Sequence, residues 1–178
     1  MGFAEIHPSE IIDGIIRIVP QQFSDARGSF VESWRAEWTP NAPAFVQHNL
    51  SRRVAGSVVG LHYHHRQADY WVVTEGRIIV GLVDLRRSSP TFEAVESFEL
   101  ESGIGVYIPK GIAHGFAALT DITMTYAVDQ YYDPEDELGV AWNDPKFGID
   151  WQITDPLVSD RDRMNPLFRD IAPGALPS

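Results

Sequence analysis

Two stretches of the chain decide its fold: GSVVGLHYHHRQADYWVVTEG at residues 56–76 and GIGVYIPKGIAH at residues 103–114. The first has the spacing G-x5-H-x-H-x4-D-x6-G, and the second has the spacing G-x5-P-x-G-x2-H. Residues two positions apart on a strand face the same side of a sheet. We therefore expect His62 and His64 to point to one side and Tyr63 to the other.

Short runs of β-branched and aromatic residues lie on both sides of these stretches. Turn signals such as Ser88-Ser89-Pro90 and Asp133-Pro134 separate the runs. Weak helical patterns occur only at residues 36–38 and 160–168. Many short strands at close spacing predict a β-sandwich or barrel. The predicted strands are 11–19, 45–50, 57–63, 70–75, 78–85, 92–100, 105–108, 116–119 and 122–128.

The composition limits the classes of function. A chain of 178 residues with 44% hydrophobic residues can bury one ordinary core, so we expect one domain over residues 1–178. It would consist of an N-terminal strand segment (1–44), a barrel core (45–132) and a C-terminal arm (133–178). With no cysteine, a metal could be held only by His, Asp or Glu. The net charge of -11 argues against nucleic-acid and anionic membrane surfaces.

The start of the chain has no basic leader followed by an apolar segment, and no apolar run approaches the ~18 residues of a membrane span. We therefore expect a cytoplasmic protein.

The two stretches together resemble the paired motifs of the cupin superfamily. This resemblance implies an all-β fold, a double-stranded β-helix or jelly-roll barrel, with short helical turns near the C-terminus. It also implies a possible site for one divalent metal, such as Fe, Mn, Ni or Zn. Its ligands would be His62, His64, Asp69 and His114, where Asp69 takes the place of the glutamate that is usual in the superfamily.

Most of the chain, from about residue 23 to residue 162, more closely resembles the dTDP-4-dehydrorhamnose 3,5-epimerase family. Several matching segments occur in the same order as in that family. They are DARGSFVES (25–33), FVQHNLS (45–51), GLHY (60–63), VDLR (83–86) with SPTF (89–92), IPKGIAHGF (108–116) and WNDP (142–145).

The family resemblance implies proton exchange at the carbons beside a C4 ketone, with no cofactor. His62 would be the general base, held by the carboxylate of Asp162, and Tyr126 would be the proton donor. An imidazole with its usual pKa is neutral and able to accept a proton near neutral pH. The residues implied to line the substrate cleft are Arg27, Glu32, Gln47, Asn49 and His114, with Arg27 near the diphosphate.

The chain departs from the family at two positions. Val59 stands where relatives have an arginine that binds phosphate, and Asp69 stands where they have a lysine that stabilises the enolate. A carboxylate about 4 Å from a developing enolate costs about 4 kcal/mol at an effective dielectric constant near 20, or roughly three decades in rate. The second departure therefore matters more for chemistry.

Three interpretations follow from Asp69. In the first, Asp69 points away, paired with Arg66, and His62 with Tyr126 still epimerises a keto sugar. In the second, the four cupin ligands bind a metal whose charge replaces the lysine, although a metal-bound His62 could not be the free base. The reaction could then be an isomerisation, an elimination or an oxidation. In the third, the protein is a sugar-binding or structural cupin without catalysis.

The family resemblance also implies the partners. The ligand would be a nucleotide-diphosphate sugar, and the chain would form a homodimer in which an N-terminal strand crosses to the partner and Arg27 reaches the neighbouring site. Exposed barrel edges would independently favour such pairing.

Overall fold

The computed structural model of the protein describes residues 3–178. Strands dominate it, and none of the helices in this range has the length and apolar character that crossing a membrane would require. One short helix, α1 (Asp160–Arg163), and three 3₁₀ turns (Ala36–Trp38, Phe168–Asp170 and Pro173–Ala175) complete the regular structure. The strands are β1 (Ala4–Pro8), β2 (Ile16–Pro20), β3 (Gln22–Asp25), β4 (Gly28–Val31), β5 (Gln47–Arg53), β6 (Ser57–Tyr63), β7 (Asp69–Glu75), β8 (Arg77–Asp84), β9 (Val95–Glu101), β10 (Gly105–Ile108), β11 (Ile112–Ala118), β12 (Ile122–Val128), β13 (Leu138–Gly139) and β14 (Leu157–Val158).

Two sheets form the barrel. The first sheet has the strand order β1-β2-β10-β7-β12-β5, and the second has the order β13-β6-β11-β8-β9. All pairs within these orders are antiparallel, and β14 adds a parallel pair with β6. The hairpin of β3 and β4 is a separate two-stranded sheet. This architecture is the all-β cupin barrel that the sequence predicts.

Strand β8 shows why its sequence is almost continuously apolar. Ile78, Val80 and Leu82 pack into the interior between the sheets. Ile79 points to the opposite face, which the C-terminal segment covers with side chains such as Trp151. Because both faces of the second sheet are buried, β8 lacks the polar alternation of a half-exposed strand.

The N-terminal strands differ most from the sequence prediction. The strand predicted over 11–19 begins only at Ile16, since the Ser9 hydroxyl accepts hydrogen bonds from the backbone N–H groups of Ile11 and Ile12 and holds a loop there. Ile12 is nevertheless buried in the core, which explains why its segment reads as a strand. Strands β1, β3 and β4 are not predicted from the sequence, because they are short and mostly exposed.

Gly76 alone connects β7 of the first sheet to β8 of the second, with a φ of +82°. A Cβ atom there would overlap the backbone oxygen of Asp121. Gly103 has a similar φ of +90°, but a Cβ atom there would meet no atom within 4 Å. Alanine substitutions at the two glycines therefore distinguish the cost of backbone strain, which both share, from the cost of steric overlap, which only Gly76 has.

We predict that Gly103→Ala lowers the free energy of unfolding by about 1 to 2 kcal/mol, because only the left-handed backbone is strained. Gly76→Ala should lower it by about 2 to 5 kcal/mol, because overlap adds to strain. Urea unfolding followed by tryptophan fluorescence measures both. Equal losses in the two variants would contradict this account of the β7–β8 connection.

Candidate active site

A cavity of about 230 Å³ opens between the two sheets. Residues from both sheets and from the loop between β6 and β7 line it, together with two from the C-terminal part of the chain. The lining residues are Ser51, Arg53, Val59, His62, His64, Gln67, Asp69, Trp71, His114, Gly115, Phe116, Met124, Tyr126, Glu137 and Arg161. His62 and His64 thus face the cavity, whereas Tyr63 packs in the apolar cluster on the outer face of the second sheet. This is the alternation expected from the sequence.

His62 and Asp162 form a hydrogen-bonded pair at the edge of this cavity. The Nε2 atom of His62 lies 2.7 Å from Oδ1 of Asp162, and the backbone N–H of Gly60 donates to Oδ2 at 3.2 Å. Ser159 caps α1 by accepting a hydrogen bond from the backbone N–H of Asp162, which fixes the position of the carboxylate. A carboxylate on Nε2 favours the tautomer with the proton on that atom, so Nδ1 is the basic nitrogen.

Asp162 is only 3% exposed, but it remains an anion. Burial alone would raise the pKa of Asp162, but the hydrogen bond and charge of His62 and the hydrogen bonds involving Gly60 and Ser159 outweigh it. They hold the pKa of Asp162 below its ordinary value. The carboxylate is therefore ionised at neutral pH and can stabilise the imidazolium that forms when His62 accepts a proton.

Tyr126 lines the same cavity from the first sheet. It lies on β12, opposite Asn49 of β5 and Trp71 of β7. Burial first, and then the negative charges of Asp69 and Glu137, raise the pKa of the Tyr126 phenol. The phenol is therefore protonated at neutral pH and can act as a proton donor.

Three of the four residues of the predicted metal set come together. One ligand atom each of His64, Asp69 and His114 lies within 4.8 Å of the others, and all three side chains are buried. Among residues 3–178 this group does not include His62, whose Nε2 atom is bonded to Asp162. Burial lowers the pKa of His114 to about 4, so that imidazole is neutral at pH 7.

Asp69 is not paired with Arg66, and that part of the first interpretation of Asp69 is wrong. Arg66, which is exposed, forms ion pairs instead with Asp133 and with the buried Asp136. Asp69, which is 3% exposed, points into the cavity and accepts hydrogen bonds from Gln67 Nε2 at 2.8 Å and Trp71 Nε1 at 3.0 Å. Its orientation follows from its place at the start of β7, since Trp71, two residues further along, faces the same way.

The residues expected to line the substrate cleft divide into three groups. His114 lines the cavity, directly opposite His62 in the pairing of β11 with β6. Gln47 and Asn49 lie outside the cavity lining but on the same face of β5 as its Ser51 and Arg53, hydrogen-bonded to each other at 2.9 Å. Arg27 and Glu32 do not reach the cavity of their own chain. They lie on and just after the β3–β4 hairpin, where they pair with Asp25 and Arg35.

Three further residues at the site, Glu137, Arg161 and Arg53, are not predicted from the sequence. Glu137 Oε1 lies 3.7 Å from His62 Nδ1 and 3.3 Å from Arg161 Nη1. Glu137 follows a loop without periodicity and reaches the site because β13 pairs with β6. Arg53 lies beyond the predicted strand, which stops at residue 50, because the polar residues at the end of β5 do not indicate a strand. Alternation from Gln47 would have placed it on the inner face.

The sequence profile of the dTDP-4-dehydrorhamnose 3,5-epimerase family matches residues 9–170. The chain is 39% identical over 169 residues to the dTDP-4-dehydrorhamnose 3,5-epimerase of Pseudomonas aeruginosa, covering 89% of this chain and 93% of that one. It is 38% identical over 162 residues to a protein of Streptomyces niveus named dTDP-4-dehydrorhamnose 3-epimerase, covering 85% of this chain and 78% of that one.

Solved structures agree with these relatives. A dTDP-6-deoxy-D-glucose-3,5-epimerase of Legionella pneumophila, in complex with dTDP-4-keto-L-rhamnose, superposes with a TM-score of 0.90 at 33% identity. The superposition covers 98% of this chain and 97% of that one. By its sequence and its fold, the chain belongs to the dTDP-4-dehydrorhamnose 3,5-epimerase family, a family of isomerases.

Proposed function

We propose that the protein epimerises a dTDP-linked 4-keto-6-deoxy sugar at a carbon beside the C4 ketone. The observation that carries this proposal is the His62–Asp162 hydrogen bond beside a cavity that also contains Tyr126. The relatives support the substrate class, and their names include both a 3,5-epimerase and a 3-epimerase. The proposal therefore covers exchange at C3, at C5 or at both.

The proposed reaction needs only proton transfers. Nδ1 of His62 accepts the proton from the α-carbon, and the electrons of the C–H bond move to the ketone oxygen to form an enolate. Tyr126 then donates a proton to the opposite face of the carbon, and the ketone reforms. Asp162 stabilises the imidazolium of His62 during the first step.

The His62–Asp162 pair is tested with dTDP-4-keto-6-deoxyglucose in heavy water, where NMR measures deuterium at C3 and C5. His62→Gln should slow incorporation by about 10²- to 10⁴-fold, because the base is lost. Asp162→Asn should slow it by roughly tenfold or more, because an amide can stabilise the wrong tautomer and carries no charge.

The chain offers matched controls for both changes. His65→Gln alters an exposed histidine three positions from His62, and Asp160→Asn alters an exposed aspartate on the same helical turn as Asp162. Both should exchange at the wild-type rate. If the wild-type protein binds the nucleotide sugar without any exchange, the protein is a binding cupin and the proposed function is wrong.

Tyr126→Phe tests the proton donor separately. This variant keeps the base, so deuterium should still enter the substrate when His62 exchanges its proton with the solvent and returns a deuteron to the original face. Formation of the epimer should fall by about 10²-fold or more, because the opposite face lacks its acid. The measurement is the ratio of epimer to deuterated substrate in one NMR time course. An unchanged ratio would remove Tyr126 from the mechanism.

Arg53 is the residue that we propose to bind the diphosphate in place of the arginine that Val59 replaces. Arg53 and Val59 both line the cavity, and both also line an adjoining cleft of about 450 Å³. That cleft also contains Arg161 and Arg163. Among the described residues, Arg53 forms no ion pair with a carboxylate, so its charge is available. Guanidinium groups bind phosphate with two parallel hydrogen bonds.

Arg53→Gln should raise KM for the dTDP-sugar about tenfold and leave kcat nearly unchanged, because the diphosphate is bound equally in the ground and transition states. Arg52→Gln is the matched control: it removes an exposed arginine on the other face of the same strand and should leave KM unchanged. Steady-state kinetics measure KM and kcat of both variants and show whether Arg53 specifically binds the diphosphate. Equal effects would show that only the net charge matters.

The proposed assembly is a homodimer. Arg27 is 90% exposed and lies on a hairpin outside its own cavity. This supports a role for Arg27 near the diphosphate in the partner's cavity rather than in its own. We also propose the cytoplasm as the compartment, since a chain without cysteines gains nothing from an oxidising one.

A further inference from the structure

The strongest feature that the proposed function leaves unexplained is the group of His64, Asp69 and His114. The three come from different parts of the barrel: His64 follows β6, Asp69 begins β7 and His114 lies in β11. Their exposures are 4%, 3% and 6%, and one ligand atom from each lies within 4.8 Å of the other two. They line the same cavity as His62 and Tyr126.

Both imidazoles are oriented by backbone carbonyls. Nδ1 of His64 lies 2.7 Å from the carbonyl oxygen of Asp136, and Nδ1 of His114 lies 2.9 Å from that of Ile112. A carbonyl oxygen can only accept, so each Nδ1 carries the proton and donates it. In a neutral ring Nε2 then holds the lone pair that can bind a metal. This arrangement resembles the outer-shell hydrogen bonds that orient histidine ligands of metals.

Asp69 is a buried carboxylate for which the described residues provide no cationic partner. Its hydrogen bonds from Gln67 and Trp71 use part of the acceptor capacity of the two oxygens. Within residues 3–178 neither Lys nor Arg forms an ion pair with it. A buried carboxylate is unfavourable unless it is paired with a cation or bound to a metal.

We propose that His64, Asp69 and His114 bind one divalent transition-metal ion through two Nε2 atoms and one carboxylate oxygen. Two imidazoles and one carboxylate suit Fe(II), Mn(II), Ni(II) or Zn(II) better than Mg²⁺ or Ca²⁺, which prefer oxygen ligands. Because the three residues line the cavity, an ion that they hold would supply a positive charge to the ketone oxygen of a bound substrate.

This site lacks His62, which belongs to the four-residue metal set expected from sequence. It therefore avoids the conflict that a metal-bound His62 could not be the free base. His62 stays with Asp162 and remains free to act as the base. An ion held by the other three residues would supply positive charge beside the oxygen that becomes negative when His62 removes the α-proton, and Tyr126 would still return the proton. This role rests on the proposed function, but binding of the ion does not.

A hydrogen-bonded cluster without an ion is the competing explanation. The Gln67 amide donates to Asp69 and lies 3.3 Å from Nε2 of His64, so it already bridges two of the three ligands. For the ion to bind, this amide has to rotate away. Gln67→Ala removes the competing donor and leaves all three ligands in place.

The binding test uses protein freed of metal with a chelator and titrated with Mn²⁺, followed by electron paramagnetic resonance, and with Co²⁺, followed by visible absorption. We expect saturable binding of one ion per chain. His64→Gln and Asp69→Asn should each weaken it by roughly 100-fold or more, whereas the control His65→Gln should not change it. Gln67→Ala should bind at least as tightly as the wild-type protein.

Circular dichroism shows whether each variant is folded, and the rise of Tm on adding ion gives a second readout that only a binding-competent variant should show. Absence of saturable binding in both the wild-type protein and Gln67→Ala would overturn the proposal in favour of the hydrogen-bonded cluster. Undiminished binding by folded His64→Gln and Asp69→Asn would overturn it as well.

The catalytic role is tested by deuterium exchange in chelated and ion-loaded protein. Exchange that rises at least tenfold on loading supports the role of the ion. Exchange at full rate in the chelated protein overturns that role but leaves the proposed function intact. Binding of one ion with no exchange in either form keeps the metal site and rejects the proposed function.

Discussion

The pairing of β6 with β11 is the constraint on which the site depends. It places His62 directly opposite His114 and turns both side chains towards the space between the sheets. Strand β13 pairs with the other edge of β6 and brings Glu137 to within 3.7 Å of His62. Because side chains alternate along a strand, a shift of one residue in this register would turn His62 out of the cavity and Tyr63 into it.

The electrostatics of the cavity are organised around carboxylates of different function. Asp162 is paired with His62, which we propose as the base, and Glu137 is paired with Arg161. Among the described residues that line the cavity, Asp69 is the carboxylate without such a partner, and it stands where the family resemblance implies a lysine. Binding of a metal ion by His64, Asp69 and His114 would restore a positive charge at this point.

Much of the fold could be predicted from local patterns. The strands with apolar faces, such as β6, β8 and β12, are found close to their predicted bounds. The pattern failed where strands are short and exposed, as in the β3–β4 hairpin, and where an apolar loop such as the one at Ile12 is buried. Hydrophobicity reports burial, and it indicates a strand only when burial and pairing coincide.

The sequence by itself determined the barrel class, the family, and the five groups of His62, His64, Asp69, His114 and Tyr126 that face one cavity, because these follow from alternation along strands and from ordered motifs. Only the tertiary structure decided between the two arrangements that the sequence left open for His62. The hydrogen bond to Asp162, one hundred residues away, is formed, and His62 is separated from the other three predicted metal ligands. The physical reason is that a hydrogen-bond partner selects the tautomer of an imidazole, and only the folded chain brings the cap of α1 to the end of β6.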